Sequence, residues 1–239
     1  MFFMKKLYFC LVVAFALLLS SCHKDPATLQ IRFQPKWGAD DFKLNTVYQT
    51  PDGYMKFSSL GMYMSHIRLI RNDNSEVEVD SAVLLLYRDN AFTINLNAVK
   101  GDYKGIKFGI GLDSIQNNIS PADVPENDPV YYDNTLYWTM NREHLFIQME
   151  GFSGTQSSLG SIFFYHVGFD SYYRTTSVTK SFSIADGNNT TLNLTADLQQ
   201  VFAGTNAVNV ITEPATHTDD YPAIATKVMN KFAASFSLQ

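Results

Sequence analysis

Imidazole is the scarce chemical resource of this chain: five histidines occur among 239 residues, with two cysteines and two tryptophans. Cys10 lies inside an apolar N-terminal run and Cys22 closes it, so no thiolate is expected in the folded domain. Any metal would then be held by nitrogen, oxygen or thioether. His166 stands at the end of "SIFFYHVGF", on the same alternating face as Ile162 and Phe164 and beside Gly168, where a strand-end imidazole can meet a loop. His217 lies in a long polar loop, "EPATHTDDYP". In "GMYMSHIRLI", Met62, Met64 and His66 alternate, which makes either a thioether–imidazole surface suited to Cu(I) or ordinary core. In "LYWTMNREHLFIQMEG", Trp138 and Met140 share a face and set an oxidisable indole beside a thioether. His144, which opens the strand that follows, is expected to be neutral and exposed, with Leu145, Ile147 and Met149 as core. His23 falls in a short N-terminal tether and is expected to be solvated.

Other chemistry is poorly represented. The chain has no Gly-x-Ser-x-Gly, no His-Glu-x-x-His and no Walker loop, and no pair of acids is marked by spacing as an acid–base couple. The expectation is a protein that is not an enzyme. A net charge of −5, from 18 basic and 23 acidic residues, offers no basic footprint for nucleic acid.

The elements that must position these residues are strands. "TLQIRFQPKW" puts Leu29, Ile31 and Phe33 on one face and Gln30, Arg32 and Gln34 on the other. "YKGIKFGIGLD" gathers Ile106, Phe108, Ile110 and Leu112. "LFIQMEG", "SFSIADG" and "TLNLTADL" continue the alternation between Gly, Asn and Asp turns, which predicts an all-β fold, a single antiparallel β-sandwich over residues 28–239. "PDG" at 51–53 and "DGNN" at 186–189 read as hairpin connections. "SPADVPEN" suits one helical turn, and "AIATKVMNKFAASF" one short C-terminal helix running into a last strand. Long proline-containing loops at 117–131 and 204–221 complete the pattern. Loops at one end of a sandwich cluster in space, so distant histidines can converge there.

The N-terminus reads as an address. Lys5 and Lys6 precede an apolar run from Leu7 to Leu19, too short to cross a bilayer comfortably, and "LSSC" follows. Residues 1–21 are read as a lipoprotein signal peptide, Cys22 as the lipidated residue of an outer-membrane lipoprotein, and 22–27 as a tether; the alternative is a plain signal peptide that happens to precede a cysteine. The lone acid of the tether, Asp25, leaves open the periplasmic face and the cell surface.

Five segments in order carry a family resemblance: "FKLNTVYQTPDGYMKFSSLGMYMSHIRLI", "VKGDYKGIKFGIGLDSIQN", "NTLYWTMNREHLFIQMEG", "FFYHVGF" and "ATHTDDYPAIATKVMNKFAASFSL". Together they resemble the MbnP-like family, periplasmic copper-binding proteins named from methanobactin operons and related to the methanotroph copper protein CorA. The resemblance implies a β-sandwich that binds one copper ion through histidines and a tryptophan oxidised to kynurenine. It also implies a partner, a diheme MbnH-type peroxidase-like protein, as the oxidant. By position, Trp138 matches the tryptophan, His166 the histidine of the "HxG" strand end, and His217 the histidine before the C-terminal element. Relatives often carry a second tryptophan where this chain has Met140, which could offer a thioether but could not form kynurenine. His66 stands where many relatives carry asparagine. The expected function is lipid-anchored copper handling without turnover. The alternative is a non-metal module that binds glycan or protein through Trp37, Tyr131, Tyr132, Tyr172 and Tyr173. Separation of His166, His217 and Trp138 beyond about 10 Å would favour it, because metal–imidazole bonds are only about 2 Å long.

Overall fold

Side-chain alternation becomes two sheets enclosing one core. The structure, a computed structural model, describes residues 27–87, 92–131, 136–138 and 143–239, with backbone alone at 84–87 and 121. The proposed leader 1–21, Cys22, the tether through residue 26, Tyr132 and Met140 lie outside the described residues.

The smaller sheet holds β1 (Thr28–Trp37), β2 (Asp40–Asp41), β6 (Phe92–Asn97), β12 (Asn189–Asp197) and β14 (Phe236–Leu238), ordered β14-β12-β1-β2 with β6 also on β1. The larger sheet runs β11 (Arg174–Ile184), β7 (Gly101–Ile110), β4 (Gly53–Arg71), β9 (Glu143–Thr155), β10 (Ser158–Gly168) and β13 (Ala215–Thr216). To this sheet β3 (Val47–Thr50) and β5 (Glu76–Tyr87) add on β4, and β8 (Tyr137–Trp138) adds on β9. Among the described residues three α-helices, α1 (Ser114–Asn117), α2 (Gln199–Phe202) and α3 (Pro222–Ala234), and 3-10 turns at Pro121–Asp123 and Asp170–Tyr172 accompany the sheets.

Most pairings are antiparallel, as expected, but two are parallel: β1 with β12, from Thr28↔Asn189 to Lys36↔Asp197, and β10 with β13. "PDG" is the hairpin it resembles, with Thr50 opposite Gly53 and the Thr50 hydroxyl accepting from the amides of Asp52 and Gly53. "DGNN" is not a hairpin. It carries the chain from β11 in the larger sheet to β12 in the smaller one, and so delivers β12 in the direction of β1. Local turn chemistry is the same for either destination; which sheet receives the next strand depends on long-range packing.

The core follows the alternation. Leu29, Ile31 and Phe33 in β1, and Ile106, Phe108, Ile110 and Leu112 of the β7 segment, are all buried. Phe236 on the smaller sheet meets Phe108 on the larger at 5.1 Å and Phe232 of α3 at 5.2 Å, both edge-on. Offset and edge-on aromatic pairs add to the area term. Trp37 is stacked on Tyr48 at 4.6 Å and is only 8% exposed, which removes it from the aromatic binding surface expected of the non-metal alternative. The C-terminal helix runs directly into β14, as the sequence suggests, and buries Ala225, Val228, Met229 and Phe232.

Candidate metal centre

The alternation of β10 turns Phe163, Tyr165 and Val167 into the core and leaves Ile162, Phe164 and His166 on the outer face. β13 then runs parallel to β10, with Phe164 opposite Ala215 and Tyr165 opposite Thr216, so the next residue, His217, arrives beside His166. Their ring centroids are 5.3 Å apart, at an interplanar angle of 64°. Phe164 packs against both rings, 5.5 Å from His166 and 4.4 Å from His217.

Buried Thr218 fastens this juxtaposition. Its hydroxyl donates to the carbonyl of His166 at 2.8 Å and accepts from the amide of Gly168 at 3.0 Å. Thr218 has φ +70°, a left-handed conformation that a β-branched residue adopts only when its surroundings impose it. Gly168 is required by closeness rather than by turn geometry: a Cβ there would lie 2.6 Å from the carbonyl oxygen of His144. A Gly168→Ala chain is expected to lose about 1–3 kcal/mol, the usual cost of forcing a methyl into a filled site. Urea unfolding checks this, and an unchanged midpoint would contradict so close an approach.

Trp138 reaches the same rim from β8, where Tyr137 pairs with His144 and Trp138 with Glu143. Its ring centroid lies 5.6 Å from that of His217. Three of the four residues singled out from the sequence, His166, His217 and Trp138, therefore form one cluster centred on His217, and the fourth, Met140, lies outside the described residues.

The other histidines behave differently. His144 is only 3% exposed rather than exposed as expected. Both faces of β9 are covered at its start, where His144, Leu145, Phe146 and Ile147 are all buried, and the rings of Tyr63 and Tyr137 meet His144 edge-on. Its Nε2–H donates to the carbonyl of Val130 at 3.0 Å, and burial pushes its pKa down, so it is neutral at pH 7. The Met62–Met64–His66 row does not form a surface. Both methionines are core, while His66, at φ +48° beside a register break between β4 and β7, leaves the row. Its ring bridges Glu78 through Nδ1 at 3.1 Å and Asp113 through Nε2 at 2.8 Å.

Each imidazole of the cluster carries its own acid. Glu150 Oε1 lies 2.6 Å from His166 Nε2, and Asp220 Oδ2 lies 3.3 Å from His217 Nδ1 while Oδ1 accepts from the His217 amide at 2.7 Å. The hydrogen bond from His166 holds the Glu150 carboxyl below the usual range against the opposing effect of burial. For Asp220, burial is the largest influence and raises the pKa. The His217 amide and ring together with the Thr216 hydroxyl outweigh it, so the net direction is down. A carboxylate on one ring nitrogen draws the proton there and leaves the lone pair on the other. The nitrogens so freed, His166 Nδ1 and His217 Nε2, make no hydrogen bond among the described residues.

Two imidazoles with free lone pairs suit a borderline ion such as copper. Their centroid separation of 5.3 Å also falls inside the span of about 6 Å that one ion with bonds near 2 Å can bridge. Among the described residues no three His, Cys, Asp or Glu side chains converge as a ready metal cage. Trp138 as translated cannot complete one, because indole is a donor only. A groove of about 240 Å³, lined by Glu150, Phe152, Ile162, Phe164, His166 and His217 among others, opens onto the pair. Sequence reasoning missed both acids. Asp220 is three residues from His217 and could have been noticed; Glu150 meets His166 diagonally across the β9–β10 pair, which only the register reveals.

The family model described as MbnP matches residues 26–219, which take in Trp138, His166 and His217. The chain belongs to the MbnP family. Among solved structures, MbnP from Methylosinus trichosporium matches 82% of this chain and 86% of its own, with a TM-score of 0.51 at 12% identity, a likeness of fold. No curated protein matches this MbnP-family chain. The family match ends at residue 219, yet Phe232 and Phe236 beyond it belong to the same core, so α3 and β14 complete this MbnP-family sandwich.

Proposed function

We propose that this MbnP-family protein works outside the cytoplasm as a copper-binding protein, holding one ion between His166 and His217 beside Trp138. Membership of the family points to an extracytoplasmic protein. The observation that carries the reading is the pair of acid-backed imidazoles 5.3 Å apart. His166 Nδ1 and His217 Nε2 would hold the metal, and Glu150 and Asp220 would orient the rings. The bound ion would be carried rather than turned over, so the role is copper handling and not catalysis. A lipid on Cys22 would keep the domain at the outer membrane.

Trp138 enters as a latent ligand. Oxidation to kynurenine would open the indole and present an aromatic amine and a ketone next to His217. A diheme MbnH-type partner would be the oxidant, as the family resemblance implies. Intact mass of protein isolated from its native host tests this step: two oxygens add across the indole double bond and hydrolysis then releases the formyl group as formate, so the net gain of one oxygen and loss of one carbon add about 4 Da. A mass equal to that of the unmodified mature chain would remove kynurenine from the proposal and leave the histidine pair.

Glu150→Gln is expected to weaken copper binding by roughly 10–100-fold, the usual cost of losing the acid behind a ligating histidine. Competition against a chelator of known affinity measures it. Unchanged affinity would contradict an orienting role for Glu150.

A further inference from the structure

A second groove, of about 400 Å³, lies between the loop after α2 and the outer face of α3, lined by Thr205, Asn206, Thr226, Lys227, Asn230 and Lys231. The six residues that line it are all of polar type, their aliphatic stems included, and hold two lysines and no acid, in a chain whose acids outnumber its bases by 23 to 18. The lysines are unequal. Lys227 Nζ is paired with Glu213 at 2.5 Å. Among the described residues, Lys231 Nζ has only the carbonyl of Ala203, at 3.4 Å, and Lys231 is partly buried. An ammonium at the wall of a groove with one long, neutral acceptor keeps donors to spare, and an anion in the groove would take them up.

The rest of the lining says what kind of anion. Arg174 Nε donates to Asn230 Oδ1 at 2.9 Å, which fixes the amide flip and leaves the Asn230 NH2 group as a donor to the groove. Thr226 donates its hydroxyl proton to the Pro222 carbonyl at 2.8 Å, which leaves its oxygen as an acceptor. Asn206, at φ +57°, and Gly204, at φ +82°, turn the loop around Lys231. A site of this size falls in the small-molecule range of roughly 300–1,000 Å³ and is much larger than a lone oxyanion needs. Amides and hydroxyls that both donate and accept suit sugar hydroxyls.

We infer that the groove between the 204–206 loop and α3 is a binding site for an anionic sugar, a hexuronic acid or a sugar phosphate, with Lys231 as its charge partner. This site does not depend on copper. The test uses the full mature chain, isotopically labelled, titrated with glucuronate, glucose 6-phosphate, glucose and inorganic phosphate while the backbone amides are followed by NMR. Both anionic sugars are expected to shift amides of 203–207 and 226–231 saturably. Lys231→Met, which keeps the aliphatic stem, and Asn230→Asp, which adds a repelling charge, should each weaken binding at least about tenfold, as expected for loss or reversal of a charge-assisted contact. The spectrum of each variant reports its folding directly. Absence of those shifts in wild type, or equal binding by a folded Lys231→Met chain, would overturn the site. Inorganic phosphate binding as tightly as glucose 6-phosphate would overturn its assignment to a sugar, and glucose binding as tightly as glucuronate would overturn its assignment to an anion.

Discussion

A chain carrying both His166→Ala and His217→Ala is expected to lose equimolar copper binding while keeping its fold. Among the described residues the two imidazoles are the only histidine side chains of the rim cluster, and their free nitrogens are the donors it offers a borderline ion. Removing an outer partner of a metal-bound histidine costs roughly 10–100-fold, so removing both ligands should weaken binding by more than about a hundredfold. Stability should change far less, because the His166 side chain is 18% exposed, that of His217 is 42% exposed, and neither ring belongs to the core. The Thr218 hydroxyl bonds to the backbone of residue 166, not to its ring, and so survives the substitution. Chelator competition and far-ultraviolet circular dichroism read the two quantities separately. Wild-type affinity in a folded double variant would show that copper, if bound, is held elsewhere.

The strands that carry this cluster were legible because burial on one face forces period-two alternation. Leu29, Ile31 and Phe33, and again Ile106, Phe108, Ile110 and Leu112, announce their strands without ambiguity, and so does the outward-facing row of Ile162, Phe164 and His166. The residues that meet across the fold were harder to see. Alternation carries no sign for strand direction, so the parallel pairing of β1 with β12 could not be read from it. His144 was misjudged because exposure there is decided by β8 and the 111–131 loop rather than by its own strand. Of the two readings open for the Met62–Met64–His66 row, the methionines take the core one, while His66 leaves the row because its left-handed backbone breaks the alternation. Glu150 was invisible until the register brought it diagonally to His166. The site was thus half legible: its histidines and tryptophan by type and position, its acids only by folding.

Phe57→Ala is expected to destabilise the domain by about 3–5 kcal/mol, the range for deleting a fully buried phenylalanine ring. Phe57 is wholly buried and stands edge-on to Phe42 at 5.0 Å and Phe163 at 5.3 Å. Trp37 at 6.1 Å and Phe202 at 6.0 Å close the cluster from β1 and α2. The ring therefore joins both sheets and a helix, and little around it can collapse into the space left behind. Equilibrium urea unfolding reads the loss. A shift below about 1 kcal/mol would mean that the aromatic cluster relaxes into the cavity instead of leaving a void.

Copper binding by the acid-backed histidine pair is tested most directly by X-ray absorption at the copper edge on the protein loaded with one equivalent. The spectrum should show two imidazoles, each with a nitrogen about 2 Å from the metal and the outer-ring scattering that identifies histidine. A copper shell without imidazole scattering, or no copper retained after desalting, would contradict it.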